Sequence, residues 1–210
     1  FSKNWQILSN YRIARLKGKY EGAFRNDNGQ TDPSISSLFD FTAGDYFLLG
    51  DQFANGYLNT DRRHVINTAF SYMFDKYFVK GLTIGTGLRV QTGVPLNDLK
   101  AHPAYLNAGE IPVGGRGSLG RLPTTGQVDL HADYALRLTE KSKLRFGIDI
   151  FNLANMKRQT NEDQNEDRAF GVPNVDFKKP AGAVNPTTVN GLYTDFQRPF
   201  YARLMVKWEF

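Results

Sequence analysis

The stretch that decides the fold is residues 201–210, which read YARLMVKWEF. Side chains of an extended strand point alternately to its two faces, so this stretch has one apolar face and one polar, charged face. The apolar face carries Ala202, Leu204, Val206, Trp208 and Phe210. A tilted strand crosses a bilayer with roughly 9 to 11 residues, which makes this a candidate membrane-spanning strand. A soluble antiparallel sheet alternates in the same way, so the rest of the chain has to decide.

The same alternation recurs in five further stretches. They lie at residues 5–14, 65–74, 82–91, 128–139 and 144–151. Long connections alternate strictly with short ones. The long connections are residues 17–62, 93–126 and 153–199, and the short ones are residues 75–81 and 139–143. Outer-membrane barrels combine short periplasmic turns with long extracellular loops, whereas a soluble sandwich has no reason to place every long loop at one end. The pattern predicts an all-β fold, an antiparallel up-and-down transmembrane β-barrel segment of about six strands with a periplasmic C-terminus.

The apolar faces of these strands predict a continuous exterior surface in contact with lipid. Its members are Leu82, Ile84, Leu88, Val90, Leu130, Leu136, Phe146, Ile148, Leu204 and Val206. Such a surface exceeds the few hundred square ångströms that soluble monomers tolerate. Six strands are too few to close a barrel, because the smallest natural single-chain barrels have about eight. Residues 5–14 and 201–210 are therefore expected to be the two edges of an open sheet, with no hydrogen bonds to each other and with partner strands outside this chain.

The opposite faces of the strands predict a hydrated barrel interior. The candidates for contact with a ligand or with a plug domain are Arg12, Arg89, Arg137, Arg145, Arg203, Asp129, Asp133 and Asp149. Lys207 and Glu209 share this face. The same residues also suit a hydrated wall in which charges on neighbouring strands pair with each other.

Several kinds of chemistry are not predicted. The 26 Lys and Arg residues exceed the 21 Asp and Glu residues only modestly and are spread along the chain, which does not indicate nucleic-acid binding. Gly115, Gly117 and Gly120 spell GxGxxG, but no helical period follows, so a surface loop is favoured over a nucleotide site. The acidic stretch at residues 161–167 lacks the spacing of an EF-hand, and a solvated loop is favoured over a cation site. The chain has no Cys and only three His, and it is predicted to be no enzyme and to hold no cofactor or metal.

Five blocks of sequence and the aromatic terminus carry a family resemblance. The blocks are RNDNGQTDPSISSLFDF (25–41), LNTDRRHVIN (58–67), QTGVPLN (91–97), GEIPVGGRGSLGRLPTT (109–125) and FGIDIFNLANMKR (146–158). With these blocks the chain resembles the C-terminal end of the β-barrel of TonB-dependent outer-membrane receptors, most closely the Oar-like subfamily. The resemblance covers residues 1–210 as one barrel portion.

The resemblance implies partners and a location. It implies a 22-stranded barrel in the lipid of a Gram-negative cell outer membrane, plugged by an N-terminal domain and energised through the TonB complex. The plug, the upstream strands and the segment that contacts the TonB complex would all lie outside this chain. The terminal strand looks like the signal that the barrel-assembly machinery reads. Arg203, Val206, Trp208 and Phe210 match that signal, but Met205 stands where a Gly is usual.

The implied function is energised uptake of a large or scarce solute across the outer membrane. An alternative is a surface adhesion or secretion-related barrel, in which the long loops bind a partner and nothing is imported. A third possibility is a soluble carbohydrate-binding sandwich, which would stay monomeric without detergent.

Overall fold

The computed structural model describes residues 3–18, 55–76, 79–101, 106, 108–109, 111–140, 142–179 and 196–210. The block at 25–41 lies outside these residues. The strands are β1 (Trp5–Ile13), β2 (Lys17–Gly18), β3 (Gly56–Tyr57), β4 (His64–Met73), β5 (Leu82–Gln91), β6 (Asp98–Lys100), β7 (Ile111–Val113), β8 (Thr125–Arg137), β9 (Lys143–Phe151), β10 (Asp167–Ala169), β11 (Val172–Pro173) and β12 (Tyr201–Glu209). Nowhere in the described ranges does a helix reach the length and apolar character that a membrane crossing requires.

The six long strands form a single antiparallel sheet in the order β1-β4-β5-β8-β9-β12. These are the six strands that the alternation predicts, and each connects to its neighbour along the chain. The bounds differ by a few residues. β8 begins at Thr125 rather than at 128 and ends at Arg137 rather than at 139. The all-β, antiparallel, up-and-down architecture is therefore confirmed.

The pairing register fixes which residues share a face of this sheet. Residues opposite each other in an antiparallel ladder lie on the same face. One row runs across all six strands through Trp5, Tyr72, Ile84, Ala132, Ile148 and Leu204. All ten residues predicted for the exterior surface lie on the face of this row, which we call the apolar face. The eight charged candidates lie on the other face, which we call the polar face.

The two ends of the sheet are open. Within the described residues, β1 pairs only with β4, β12 pairs only with β9, and no ladder joins β1 to β12. Every residue of β1 is exposed, and so are the residues of β12 up to Trp208. Leu204 on the apolar face is 77% exposed. The sheet thus has two edges with free hydrogen-bonding groups, as an open segment requires.

The three long connections all leave from the same end of the sheet and contain short strands that the sequence did not reveal. β2 pairs with β3, β6 with β7 and β10 with β11, each as a separate two-stranded sheet. These ladders are two or three residues long, which is too short for period-two alternation to be seen. The description of residues 17–62, 93–126 and 153–199 as plain loops is corrected to this extent.

Most of the buried side chains belong to these connections rather than to the long strands. We call the described residues 14–18, 55–63, 92–124, 152–179 and 196–200 the loop region. Its buried apolar residues are Leu58, Leu96, Leu99, Ala101 and Leu122, whereas the long strands contribute Val65. Close backbone approach is part of this packing, since a Cβ atom on Gly93 would lie 1.8 Å from the carbonyl oxygen of Leu122.

Candidate functional site

Part of the charge on the polar face is paired between neighbouring strands. His131, Asp149 and Arg203 stand side by side on β8, β9 and β12. His131 Nδ1 lies 2.6 Å from one oxygen of the Asp149 carboxylate, and Arg203 donates to the other oxygen from Nε at 3.0 Å and from Nη2 at 2.7 Å. Arg203 and Asp149 form a cross-strand ion pair of the kind that stabilises a sheet, and His131 adds a hydrogen bond to the same carboxylate.

A second paired group lies closer to the short turns. Arg145 Nη1 is 3.7 Å from Asp133, and Arg145 Nε is 3.9 Å from Glu209. Lys207 donates to the same Glu209 oxygen at 3.0 Å. Four of the eight predicted candidates, Arg145, Arg203, Asp133 and Asp149, therefore act on each other.

The carboxylate of Asp129, another candidate, accepts hydrogen bonds from uncharged donors. Gln127 Nε2 lies 2.9 and 3.0 Å from the two Asp129 oxygens, and the backbone N–H of Asn152 donates to Oδ1 at 2.9 Å. Asn152 is 2% exposed, has a φ of 52° and ties the end of β9 to the loop region. Its Nδ2 donates to the carbonyl oxygens of Met156 and Arg198. Asn tolerates this left-handed backbone, which explains the residue type. Sequence reasoning placed Asn152 in a family block but gave it no role.

The remaining candidates, Arg12, Arg89 and Arg137, form no salt bridge with any carboxylate among the described residues. Arg89 Nη2 donates only to the neutral Gln91 Oε1, at 3.2 Å. Arg12 and Arg89 lie near the loop end of β1 and β5, whereas Arg137 lies at the opposite end of β8. The sequence could not separate paired from unpaired charges, because pairing depends on the register between strands.

Arg62, which was not among the candidates, joins Arg12 and Arg89. It lies just before β4, and its Nη1 donates to the carbonyl oxygen of Thr92 at 2.8 Å. Burial lowers the pKa of Arg62, and the positive charges of Arg89 and Arg12 lower it further. Arg62 is therefore close enough to Arg89 and to Arg12 to be repelled by their charges.

Two adjoining cavities open beside Arg89 and Arg62, whereas Arg12 lines neither of them. The first, of about 430 Å³, is lined by Arg89, Gln127, Asn152 and Arg198, among others. The second, of about 350 Å³, is lined by Arg62, and Thr160 lines both cavities. We call the two together the polar cleft. It lies where the polar face meets the loop region.

An aromatic pair forms one wall of the cleft. The rings of Phe151 and Tyr201 are stacked, with their centroids 4.5 Å apart and their planes 15° apart. The guanidinium of Arg203 lies 5.9 Å from the Phe151 centroid. A stacked pair with a cation over its outer face gives the wall a fixed, flat surface.

Buried polar residues hold the three connections of the loop region together. Asp61 is 1% exposed. One oxygen accepts from the backbone N–H of Leu16 at 2.6 Å, and the other accepts from Arg121 Nη2. Arg121 Nη1 also donates to the carbonyl oxygens of Asp61 and Gly93, each at 3.1 Å. Asp61 and Arg121 thus join the first connection to the second.

Asn97 and Gln164 join the second connection to the third. The backbone N–H of Asn97 donates to Gln164 Oε1 at 2.6 Å, and Asn97 Oδ1 accepts from the N–H of Gly117 at 2.6 Å. The backbone of Leu99 exchanges hydrogen bonds with Gln164 and Glu166, at 3.0 and 2.8 Å. Gly117, the middle glycine of GxGxxG, has a φ of 79° and serves a turn rather than a phosphate-binding helix N-terminus.

The acidic stretch at residues 161–167 has its carboxylates engaged within the protein. Asp163 accepts from the N–H of Asn165 and from Asn174 Nδ2, both at 3.0 Å. Glu166 pairs with Lys100 at 3.3 Å. Burial, followed by the neighbouring Glu166, raises the pKa of Asp98 to about 6. Within the described residues no group of three or more His, Cys, Asp or Glu side chains could hold a metal ion.

The residues of the predicted assembly signal lie on β12 and just after it. Arg203 lies on the polar face, whereas Val206 and Trp208 lie on the apolar face. The rings of Trp208 and Phe210 meet edge to face at a centroid distance of 6.1 Å, and Phe210 is 97% exposed. Their recognition by the barrel-assembly machinery stays a prediction.

Comparison with known proteins gives one informative match. The chain is 34% identical over 164 residues to a protein named TonB-dependent transporter Oar from Myxococcus xanthus. The match covers 78% of this chain and 15% of that protein, so the chain spans only a small part of its relative's length. No family model matches the chain, and no solved structure matches it significantly. The matched part is the C-terminal part of the transporter, and the resemblance of this chain to the Oar-like TonB-dependent receptors is thereby confirmed.

Proposed function

We propose that residues 1–210 form the C-terminal wall of a transmembrane barrel in a TonB-dependent transporter, which takes up a large or scarce solute. The observation that carries this proposal is the open six-stranded sheet with an uncovered apolar face, an opposite charged face and all long connections at one end. A soluble sheet would cover its apolar face with a second layer. Lipid is the medium that leaves such a face uncovered.

The proposal assigns a side to each end of the sheet. The loop region faces the exterior of the cell outer membrane, and the two short turns and the C-terminus face the periplasm. β12 pairs with the first strand of the full barrel, which has 22 strands, and β1 pairs with the strand that precedes it. The barrel-assembly machinery reads the end of β12. The plug domain fills the interior, and the TonB complex supplies the energy through the N-terminal region.

Cysteine labelling tests this orientation, because the chain has no Cys of its own. In the full-length protein, with no other cysteine present, Val175→Cys in the third connection and Glu140→Cys in a short turn are compared in intact cells. A membrane-impermeant maleimide is expected to label Val175→Cys at once, and Glu140→Cys only after the outer membrane is permeabilised. Equal labelling of both sites in intact cells would refute the orientation.

A second candidate function is surface adhesion or secretion, and the buried core of the loop region is the observation that favours it. Three connections held together by buried hydrogen bonds offer a fixed surface to a partner. Collapse of the proton gradient separates the two functions. Cells that carry the full-length protein should lose uptake of their solute on collapse if the protein imports it, whereas partner binding that survives collapse would favour adhesion.

A further inference from the structure

Three arginines that have no carboxylate partner among the described residues lie near one another at the loop end of the sheet, and their surroundings indicate what they bind. Arg12 lies on β1 and Arg89 lies on β5, whereas Arg62 lies two residues before the start of β4. The acceptors recorded for Arg62 and Arg89 are the neutral Thr92 carbonyl and the neutral Gln91 amide. Among the described residues, none of the three reaches a carboxylate within salt-bridge distance. This cluster therefore holds positive charge that the described protein leaves uncompensated.

Two other arginines on the polar face show that carboxylates on neighbouring strands can balance the charge of an arginine in this sheet. Arg145 and Arg203 each have carboxylate partners on a neighbouring strand. By contrast, burial and then the charges of Arg89 and Arg12 lower the pKa of Arg62, so Arg62 is repelled by both neighbours and has no carboxylate partner among the described residues. A protein that keeps such an unfavourable arrangement usually does so at a functional site.

The space beside the cluster fits a ligand that would relieve this repulsion. The first cavity of the polar cleft brings in a fourth arginine, Arg198, and the amides of Gln91, Gln127 and Gln197. Asp129 is the carboxylate that lines it, and its oxygens already accept hydrogen bonds from Gln127 and Asn152. Guanidinium and amide groups therefore make up most of the polar lining of this cavity, and the Asp129 carboxylate is held in place by Gln127 and Asn152.

We propose that the polar cleft binds an anionic group of the solute, a phosphate or a carboxylate, through the three arginines that line it, Arg62, Arg89 and Arg198. The planar fork of a guanidinium matches two oxygens of either group, and amide side chains suit neighbouring hydroxyls. Arg12 and Arg89 lie on the polar face, so a solute in the barrel interior reaches this end of the cleft. This inference rests on the proposed function, since it names the chemical class of the solute.

Calorimetric titration of the full-length protein in detergent tests the site. Inorganic phosphate is titrated in one arm and citrate in the other, at low salt and without a proton gradient. Saturable binding of either anion is expected, and the double variant Arg62→Gln with Arg89→Gln should raise the Kd at least tenfold. The double variant Arg145→Gln with Arg168→Gln removes the same charge from two arginines that pair with Asp133 and Asp176 and line neither cavity, and it should leave the Kd within about twofold. Binding of neither anion to the parent protein, or an equal loss in the two double variants, would overturn the proposal.

Thermal unfolding of the same variants separates lost binding from lost folding. The Arg62→Gln and Arg89→Gln variant should unfold at nearly the same temperature as the parent protein, because the relief of repulsion offsets the lost hydrogen bond from Arg62 to the Thr92 carbonyl. Loss of a residue needed only for structure would lower the unfolding temperature, and such a fall alongside lost binding would count against the proposal. Failure here is distinguishable from failure of the proposed function. Gradient-dependent uptake without anion binding rejects only the anion site, whereas anion binding without such uptake rejects transport.

Discussion

The sheet and the loop region are stabilised by different kinds of contact. The sheet exposes side chains on both faces, and its backbone ladders are its main internal contacts. The loop region buries both apolar and polar side chains and joins its connections through specific hydrogen bonds. The sheet therefore depends on the medium around it, whereas the loop region carries its own core. Substitutions should separate the two regions accordingly.

The largest effect is expected from Asp61→Ala in the loop region. The substitution leaves the guanidinium of Arg121 without its buried carboxylate partner, and the N–H of Leu16 without an acceptor. Breaking a buried pair by removing one partner typically costs about 3 to 5 kcal/mol. Hydrogen exchange should show faster exchange at the amides of the first and second connections, with the ladders of β8 and β9 unchanged.

The control for Asp61→Ala is Lys100→Ala, which breaks the exposed pair with Glu166. Exposed pairs are worth about 1 kcal/mol or less. If the two variants gave the same exchange rates, the loop region would have no core that depends on Asp61.

The next largest effect is expected from Leu130→Arg on the apolar face of β8. Leu130 lies opposite Thr86 on β5 and Ile150 on β9, in a middle row of the sheet. A cation on the lipid face near the midplane of a bilayer costs roughly 2 to 4 kcal/mol. Unfolding of the full-length protein in lipid vesicles with urea measures the change.

His131→Arg, one residue along the chain, provides the matched control. His131 lies on the polar face beside Asp149, so an added cation keeps its carboxylate partner. The change in stability should be within about 1 kcal/mol. A larger loss in His131→Arg than in Leu130→Arg would reverse the assignment of the two faces.

A smaller effect is expected from Asn97→Ala. Asn97 helps to join the second connection to the third. Asn97 is fully buried, and its side-chain oxygen accepts from the N–H of Gly117. Leaving a buried donor unsatisfied costs about 1 to 3 kcal/mol. Limited proteolysis should cut the glycine-rich turn faster than in the parent protein, and the sheet should resist as before. An unchanged cutting rate would mean that Gly117 is held by other contacts.

The smallest effect concerns the pH dependence of the loop region. The pKa of Asp98 in the folded protein is about 6, above its ordinary value of 3.8. Burial and the neighbouring Glu166 raise this pKa, and the positive charges of Lys100 and Lys178 offset only part of the rise. Asp98 therefore binds more protons in the folded state between these values, so its contribution to stability is fully present below pH 3.8 and is lost as pH rises through about 6. Asp98→Asn should flatten this fall, measured as hydrogen exchange of the β6 amides against pH. A steeper fall in the variant would contradict the assignment.

The sequence was sufficient to predict the long strands and their faces, because period-two alternation over nine or more residues is a strong signal. Leu130 and His131 could be assigned to opposite faces from the sequence alone. The order of the strands followed from the short and long connections. The register between the strands could not be predicted, so the pairing of Arg203 with Asp149 could not be predicted either.

The loop region and the cleft could not be predicted in the same way. Asp61, Asn97 and Asn152 act through hydrogen bonds from side chain to backbone, which leave no periodic pattern. Arg62 sits before its strand in LNTDRRHVIN, where nothing distinguishes it from Arg63. Only the fold brings Arg62 near Arg12 and Arg89.

The free edges of the sheet have a consequence for how the chain must be handled. A long, flat edge strand with apolar side chains is a template on which other strands assemble, and proteins normally shorten, cover or charge such edges. β12 runs for nine residues and is exposed over all but the last of them. In water, wherever this edge is unoccupied, copies of the chain will aggregate edge to edge. A holding chaperone that covers β12 until it is paired would prevent this.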